Sequence, residues 1–257
     1  MAKKSKQSEK KHILGIDVGG SGIKGALVDI ESGQLVTDRL RLPTPQPAAP
    51  EAVVKTIQKL NKEFGCQGPV GVGFPAVVLD GTVLSAANVD DAWIGFPGQQ
   101  AISKAVGCPV KLLNDADAAG FAEMRFGAGR KKKGLVMILT LGTGIGSALF
   151  MDGRLVPNCE LGHLYLQGQK SDAEEYASDR IRTNEDLDWK VWARRLDLYL
   201  HHLEFLFSPN LFILGGGVSK KYQKFVPRLT LRTEVVPAQL RNEAGIIGAA
   251  MAAVDHG

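Results

Sequence analysis

The sequence predicts an α/β protein of two lobes around a cleft, and three observations carry that expectation. A strand, a glycine loop, a second strand, a turn and a third strand occur in that order twice, about half a chain apart. Helices and further strands follow each copy. The 257 residues, 44% apolar and 23% charged, suffice for two modest cores and match ordinary globular composition.

In the first copy, residues 13–17 read as an apolar strand and Gly19-Gly20-Ser21-Gly22 as the loop. Residues 26–30 read as the second strand, Glu31-Ser32-Gly33-Gln34 as a turn, and Leu35 begins a third strand. In the second copy, residues 135–141 form the strand and Gly142-Thr143-Gly144-Ile145-Gly146 the loop. Residues 148–151 return, Asp152-Gly153 is a hairpin signal, and Leu155-Val156 opens the third strand. Residues 50–64 have Val53, Val54, Ile57 and Leu60 at helical spacing. Strands are expected at 70–74 and 110–113, a short helix around 102–106, and a helix over 117–126. Later come a long helix over 189–207, a strand at 211–214 and a small-residue helix over 244–254 that should pack closely. Two α/β lobes are the simplest assembly of these pieces.

Charge and cysteine content exclude several function classes. Five lysines against Glu9 in residues 3–11 account for the whole net charge of +4. Residues 1–11 therefore read as a disordered basic tail on a neutral body, which binds polyanions only through local patches. Apart from that tail, nothing supports nucleic-acid binding. No apolar run approaches the roughly 20 residues of a membrane span, and the Lys-rich start lacks a signal-peptide core. Cys66, Cys108 and Cys159 lie far apart without a CxxC pair, against a disulfide framework or thiolate zinc site. A cytoplasmic protein is expected.

Gly20-Ser21-Gly22-Ile23-Lys24-Gly25 matches the dinucleotide pattern G-x-G-x-x-G, but a strand follows where that fold needs a helix. What remains is a tight hairpin whose backbone N–H groups can approach an anion. Asp17 precedes it, as a turn cap or as a carboxylate holding Mg²⁺ through water. Lys24 offers a positive charge. Gly142, Thr143 and Gly144 supply donors from the other lobe, so two loops facing one cleft would grip a phosphate chain from both sides. Gly215-Gly216-Gly217 ends a third strand, as a plain turn or a backbone surface for a flat base.

Asn114-Asp115-Ala116-Asp117 lies where a strand runs into a helix, the usual place for α/β sites. One cap does not need three polar residues. Asp115 is the choice for a base that accepts a proton from an attacking hydroxyl, with Asp117 supporting the helix start. Glu160-Leu161-Gly162-His163 sets a carboxylate and an imidazole three apart, suited to vicinal hydroxyls, and Asn88 adds an amide.

These segments resemble the ROK family of sugar kinases (repressors, open reading frames, kinases), within the actin-like ATPase superfamily. The resemblance runs from about residue 13 through nearly the whole chain. It rests on residues 17–25, 114–120, 141–146 and 160–163. It implies two ribonuclease-H-like lobes: residues 12–113, with a C-terminal helix 245–257 packing back, and residues 114–244. It implies Asp115 as catalytic base, and Asn88, Asn114, Glu160 and His163 as sugar ligands. A further sugar-binding Glu falls on Glu174, with Glu175 the rival. Both glycine loops would hold phosphate. Most of the family carries a zinc cluster after the Gly-His, but residues 164–175 contain no cysteine, so that loop must be held otherwise. The short N-terminus leaves no room for a repressor's winged helix. The missing zinc cluster, with residues 16–25 and Thr44-Pro45-Gln46-Pro47, is similar to the branch that phosphorylates glucose or mannose with inorganic polyphosphate or ATP and Mg²⁺. The resemblance implies a homodimer or monomer.

A long polyanion needs a basic track, and two runs offer one: Arg130-Lys131-Lys132-Lys133, and Lys220, Lys221, Lys224 and Arg228. The rival readings are a strictly ATP-dependent kinase and a non-catalytic sugar sensor on the same fold.

Overall fold

The computed structural model describes residues 12–87 and 89–255. The expected tail at 1–11, Asn88 and the last two residues of the expected C-terminal helix lie outside the described residues.

The first sheet has the order β3-β2-β1-β5-β8, with β4 also on β2. Its strands are β1 (His12–Gly19), β2 (Gly22–Asp29), β3 (Gln34–Leu35), β4 (Leu40–Leu42), β5 (Val70–Phe74) and β8 (Val110–Asn114). A small hairpin, β6 (Val78–Leu79) with β7 (Thr82–Val83), leads away from β5. The second sheet runs β11-β10-β9-β12-β13. It contains β9 (Leu135–Leu141), β10 (Ile145–Met151), β11 (Arg154–Val156), β12 (Leu211–Gly215) and β13 (Glu234–Pro237). In both sheets an antiparallel meander is followed by two parallel strands on the far side of its first strand. The repeated order third-second-first-fourth-fifth is the duplication expected from the sequence. The fold is two ribonuclease-H-like lobes of the actin-like ATPase kind.

The helices are α1 (Pro50–Phe64), α2 (Gly98–Val106), α3 (Asp115–Phe126), α4 (Ala173–Ala177), α5 (Asp179–Asn184), α6 (Trp189–Phe207) and α7 (Ala244–Ala252). Pro50 opens α1, where its missing N–H costs nothing, and Gly65 closes it in the left-handed region at φ 59°. Val53, Ile57 and Leu60 bury one face of α1 against Leu14, Ile16, Val70 and Val72 of the first sheet. Asp188 caps α6, which buries Trp192, Leu196 and Leu203 on Met137, Leu139 and Phe212 of the second.

Helices α3 and α7 lie between the sheets. Residues Val136 and Ile138 of β9 face α3, while Met137 and Leu139 face α6, so an unbroken apolar strand is buried on both sides. Helix α7 touches neighbouring backbones. A Cβ on Gly71 of β5 would sit 1.7 Å from the Ala249 carbonyl, and one on Gly248 would sit 1.6 Å from that of Ala118. Small residues let these layers meet directly.

Several expected boundaries change. Strand β2 starts at Gly22, so the first glycine loop is a two-residue turn. The third strand is split into β3 and β4. Helix α3 begins at Asp115 rather than 117, because Asn114 is its cap. The last helix ends at Ala252, short of 254 and of 257.

Candidate active site

The carboxyl ends of β8, β9 and β12 converge on a cavity of about 230 Å³ between the lobes. Asn114 and Asp115 stand at its base, Gly142, Thr143 and Gly144 on one wall, and Glu160, His163 and Glu174 on another. Pro75, Ala76, Ser85 and Ala87 close it from the first lobe. Gly216 reaches it from β12.

The Asn114 side chain organises the floor. Its Oδ1 accepts the N–H groups of Ala116 at 2.8 Å and Asp117 at 3.1 Å, capping α3. Its Nδ2 donates to the Ala76 carbonyl at 3.2 Å and to Glu160 Oε1 at 3.4 Å. One amide thus ties together a helix start, the first lobe and the opposite wall. Asp115 follows in the first turn of α3. Burial, and next the charge of Asp17, push its carboxyl up to about 7, although the Ala116 N–H pulls the other way.

Asp117 lies in the first turn of α3, as expected, but Asn114 is the cap. Asp117 is buried, its Oδ2 accepts the Asn158 N–H at 2.9 Å, and its Oδ1 has no hydrogen-bond partner. Burial raises its carboxyl to about 7 as well. The Asn158 amide pairs with both backbone groups of Val78, accepting N–H at 3.0 Å and donating to the carbonyl at 2.8 Å. It is a clasp between the lobes, two residues before Glu160.

The Glu160 segment is set against the second glycine loop. Ser147, buried in β10, accepts the Leu161 N–H at 2.9 Å and donates to the Cys159 carbonyl. A Cβ on Gly162 would lie 2.2 Å from the Ile145 carbonyl, so close approach requires the glycine of Glu-Leu-Gly-His. Burial raises the Glu160 carboxyl, and His163 partly offsets it. His163 Nδ1 meets Asp172 Oδ2 at 2.9 Å, a hydrogen bond that raises the imidazole. Asp172 also caps α4 through the Glu175 N–H. With the Tyr165–Asp172 bridge and the Ala173 N–H on the Leu164 carbonyl, these contacts hold the cysteine-free loop.

Glu174 faces the cavity, and its Oε2 accepts the Ile145 N–H at 2.8 Å. A Cβ on Gly144 would come within 2.2 Å of that oxygen. Glu175 instead pairs with Arg180, off the cavity wall. Gly216 has φ 81° and no room for a side chain beside the Leu141 carbonyl. Gly215 and Gly217 are off the cavity wall.

The first glycine loop stands apart from this wall. Neither Asp17 nor Gly19, Gly20, Ser21, Gly22 and Lys24 line the cavity. Asp17 and Lys24 face one another across β1 and β2 and pair at 3.2 Å, so Lys24 is committed to a carboxylate. Three side chains hold the loop carbonyls from behind. Thr44 donates to Gly19 at 2.5 Å, Gln46 to Gly20 at 3.3 Å and Arg41 to Ser21 at 2.6 Å. At Gly20 and Gly142 an added Cβ would meet nothing within 4 Å, leaving both loop tips open to an approaching anion.

Among the described residues no three His, Cys, Asp or Glu side chains form a metal-ligand set. A hard divalent cation held by one or two carboxylates and the phosphates of a substrate still fits. Such a charge beside Asp17 would offset the repulsion that, after burial, raises Asp115.

Two lobes of this fold, a carboxylate raised toward neutrality and open glycine loops define a phosphotransferase acting on a polyhydroxyl acceptor. The chain belongs to the ROK family, whose model matches residues 13–180. It is 52% identical to a polyphosphate glucokinase of Mycobacterium tuberculosis (strain ATCC 25618 / H37Rv), over 95% of this chain and 92% of that one. The crystal structure of inorganic polyphosphate/ATP-glucomannokinase from Arthrobacter sp. strain KM superposes with a TM-score of 0.89. It is 49% identical, over 94% of this chain and 98% of that one. A ROK family glucokinase from Streptomyces griseus, solved in complex with glucose and AMPPNP, is 28% identical with a TM-score of 0.80. That match covers 93% and 98% of the two chains.

Proposed function

We propose that the chain transfers a phosphoryl group from inorganic polyphosphate or ATP to the 6-hydroxyl of glucose, with Asp115 as general base. The observation that carries this is the placement of Asp115, at about 7, in one cavity with the Gly142-Thr143-Gly144 loop. Ionised Asp115 takes the hydroxyl proton as the sugar oxygen bonds to phosphorus and the donor's bridging P–O bond breaks. Glu160 and Glu174 accept hydrogen bonds from sugar hydroxyls. His163, held at Nδ1 by Asp172, presents Nε2. Asn114 fixes the floor, and Asn88, next to the cavity-lining Ala87, completes the proposed sugar set.

The two loops receive the donor, with Gly216 supporting the base of a nucleotide. Mg²⁺ held through water by Asp17 would neutralise charge on the donor phosphates. Mannose, which differs from glucose in one hydroxyl's configuration, is proposed as a second acceptor. The lobes divide near residue 114 in this reading, and closure about that division excludes water. The cysteines are free, in keeping with a cytoplasmic location, and among the described residues no helix is long and apolar enough to cross a membrane. A homodimer is proposed through α6, where Val191, Leu198 and Phe205, seven residues apart, lie exposed in one line.

The test is glucose 6-phosphate formation by the purified protein with Mg²⁺, comparing polyphosphate and ATP. Product from both donors supports the reading. Product from ATP alone removes polyphosphate from it, and none from either leaves a sugar sensor.

A further inference from the structure

The fold separates the two basic runs of the sequence. Arg130, Lys131, Lys132 and Lys133 precede β9, whose seven residues span about 23 Å at roughly 3.3 Å each. They therefore sit at the end of the sheet remote from Gly142-Thr143-Gly144. Lys132 is also paired with Glu234 at 3.0 Å. The second run follows β12, and Gly215 at its end lies beside Thr140, two residues before Gly142. This run emerges at the cleft.

There it gathers around one indole. Trp189 is half-buried and stacked on Phe225 at 6.1 Å, with 14° between the rings. The Arg182 guanidinium lies 4.4 Å from the Trp189 ring centroid, Lys224 Nζ 5.5 Å and Lys221 Nζ 5.9 Å. Asp179 pairs with Arg182 at 2.7 Å, and Asp188 nearby is occupied in capping α6. Lys221 and Lys224 form no ion pair with a carboxylate among the described residues. The ring attracts each cation, and Asp179 compensates Arg182, while Lys221 and Lys224 have no carboxylate paired with them among the described residues.

Helix α5 connects this cluster to the phosphate loop. Arg180 Nε donates to the Thr143 carbonyl at 2.8 Å, and the Arg180 N–H donates to Gly142 at 3.0 Å. Arg182 is two residues further along. Arg180, paired with Glu175, and Arg182, paired with Asp179, thus lead from the second glycine loop to Lys221 and Lys224 over Trp189.

We propose that this path binds the distal part of a polyphosphate chain, beyond the length of a nucleotide's triphosphate. The proposal rests on the reading that polyphosphate is a donor. A flexible polyanion fits because Lys221 and Lys224, which have no carboxylate paired with them among the described residues, extend the line that starts at the second glycine loop.

The test compares the wild-type protein with Lys221→Gln/Lys224→Gln and with a remote control, Lys131→Gln/Lys132→Gln/Lys133→Gln. The path predicts that the double variant raises KM for long-chain polyphosphate about tenfold, or about 1.4 kcal/mol. The rise should shrink as the chain is shortened, and KM for ATP should stay at its wild-type value. Added salt should raise the long-chain KM of the wild type more than that of the variant. The control should behave as wild type. Without turnover, long-chain polyphosphate should perturb indole fluorescence in the wild type, and Trp189→Phe should lose most of that signal. An unchanged long-chain KM in the double variant overturns the path and leaves the donor reading standing. An equal rise in KM for ATP also overturns it. A wild type that turns over ATP but not polyphosphate overturns both.

Discussion

The two glycine loops descend from the same hairpin plan, yet they meet the rest of the molecule in opposite ways. The loop at Gly19–Gly22 is braced from behind by Thr44, Gln46 and Arg41, which occupy its carbonyls. The loop at Gly142–Gly146 is engaged from the front, where Glu174 takes the Ile145 N–H and Gly162 presses on the Ile145 carbonyl. In the proposed function the first loop grips the donor, and it does not line the cavity. In that reading the second joins donor and acceptor, so a change there should reach the sugar side too.

The largest expected effect breaks that joint. Gly144→Ala would place a methyl on the Glu174 carboxylate, and kcat/KM for glucose should fall about 100-fold, because a small misplacement in a reacting site has that cost. Gly20→Ala meets open space, so its effect should be confined to KM for the donor. Steady-state kinetics with each substrate varied checks both, and equal effects on glucose would dissolve the contrast.

A smaller effect concerns charge. Asp115 works as a base only when ionised, so kcat/KM should fall as pH drops through about 7. Asp17 raises Asp115, so Asp17→Asn should move that acid limb to lower pH. A pH profile of kcat/KM for glucose checks the sign, and a limb moving upward contradicts the arrangement.

The smallest effect sharpens the comparison from behind the first loop. Thr44→Val removes one hydrogen bond to Gly19, a net loss of about 1 kcal/mol, and should raise donor KM about fivefold with glucose KM unchanged. A matching loss of glucose affinity would show that the two loops are not separately braced.

The elements legible in the sequence are those with a long period or a strong boundary. The helix α1 and the strand β9 keep their expected limits because Pro50 and Gly65 bound the one and Gly134 and Gly142 the other. The short helices α4 and α5, and β13 with its terminal proline, carry too little pattern to be read. Asp115 was visible as a carboxylate where a strand meets a helix. Asp172 and Asn158 were not, because their roles are side-chain contacts with His163 and with Val78, the latter 80 residues away. The Thr44-Pro45-Gln46-Pro47 segment was visible only as a likeness, and its bracing of Gly19 and Gly20 appears only in three dimensions. Asp117 sits in the first turn of α3 as expected, but its bond to Asn158, 41 residues away, was not legible.

The central claim is that Asp115 takes the proton of the attacking hydroxyl. Single-turnover formation of glucose 6-phosphate by Asp115→Asn, with glucose binding measured in parallel by calorimetry, tests it most directly. The account predicts a rate loss of about 10²–10⁴-fold with glucose still bound. A variant that binds glucose and turns over near the wild-type rate would contradict it.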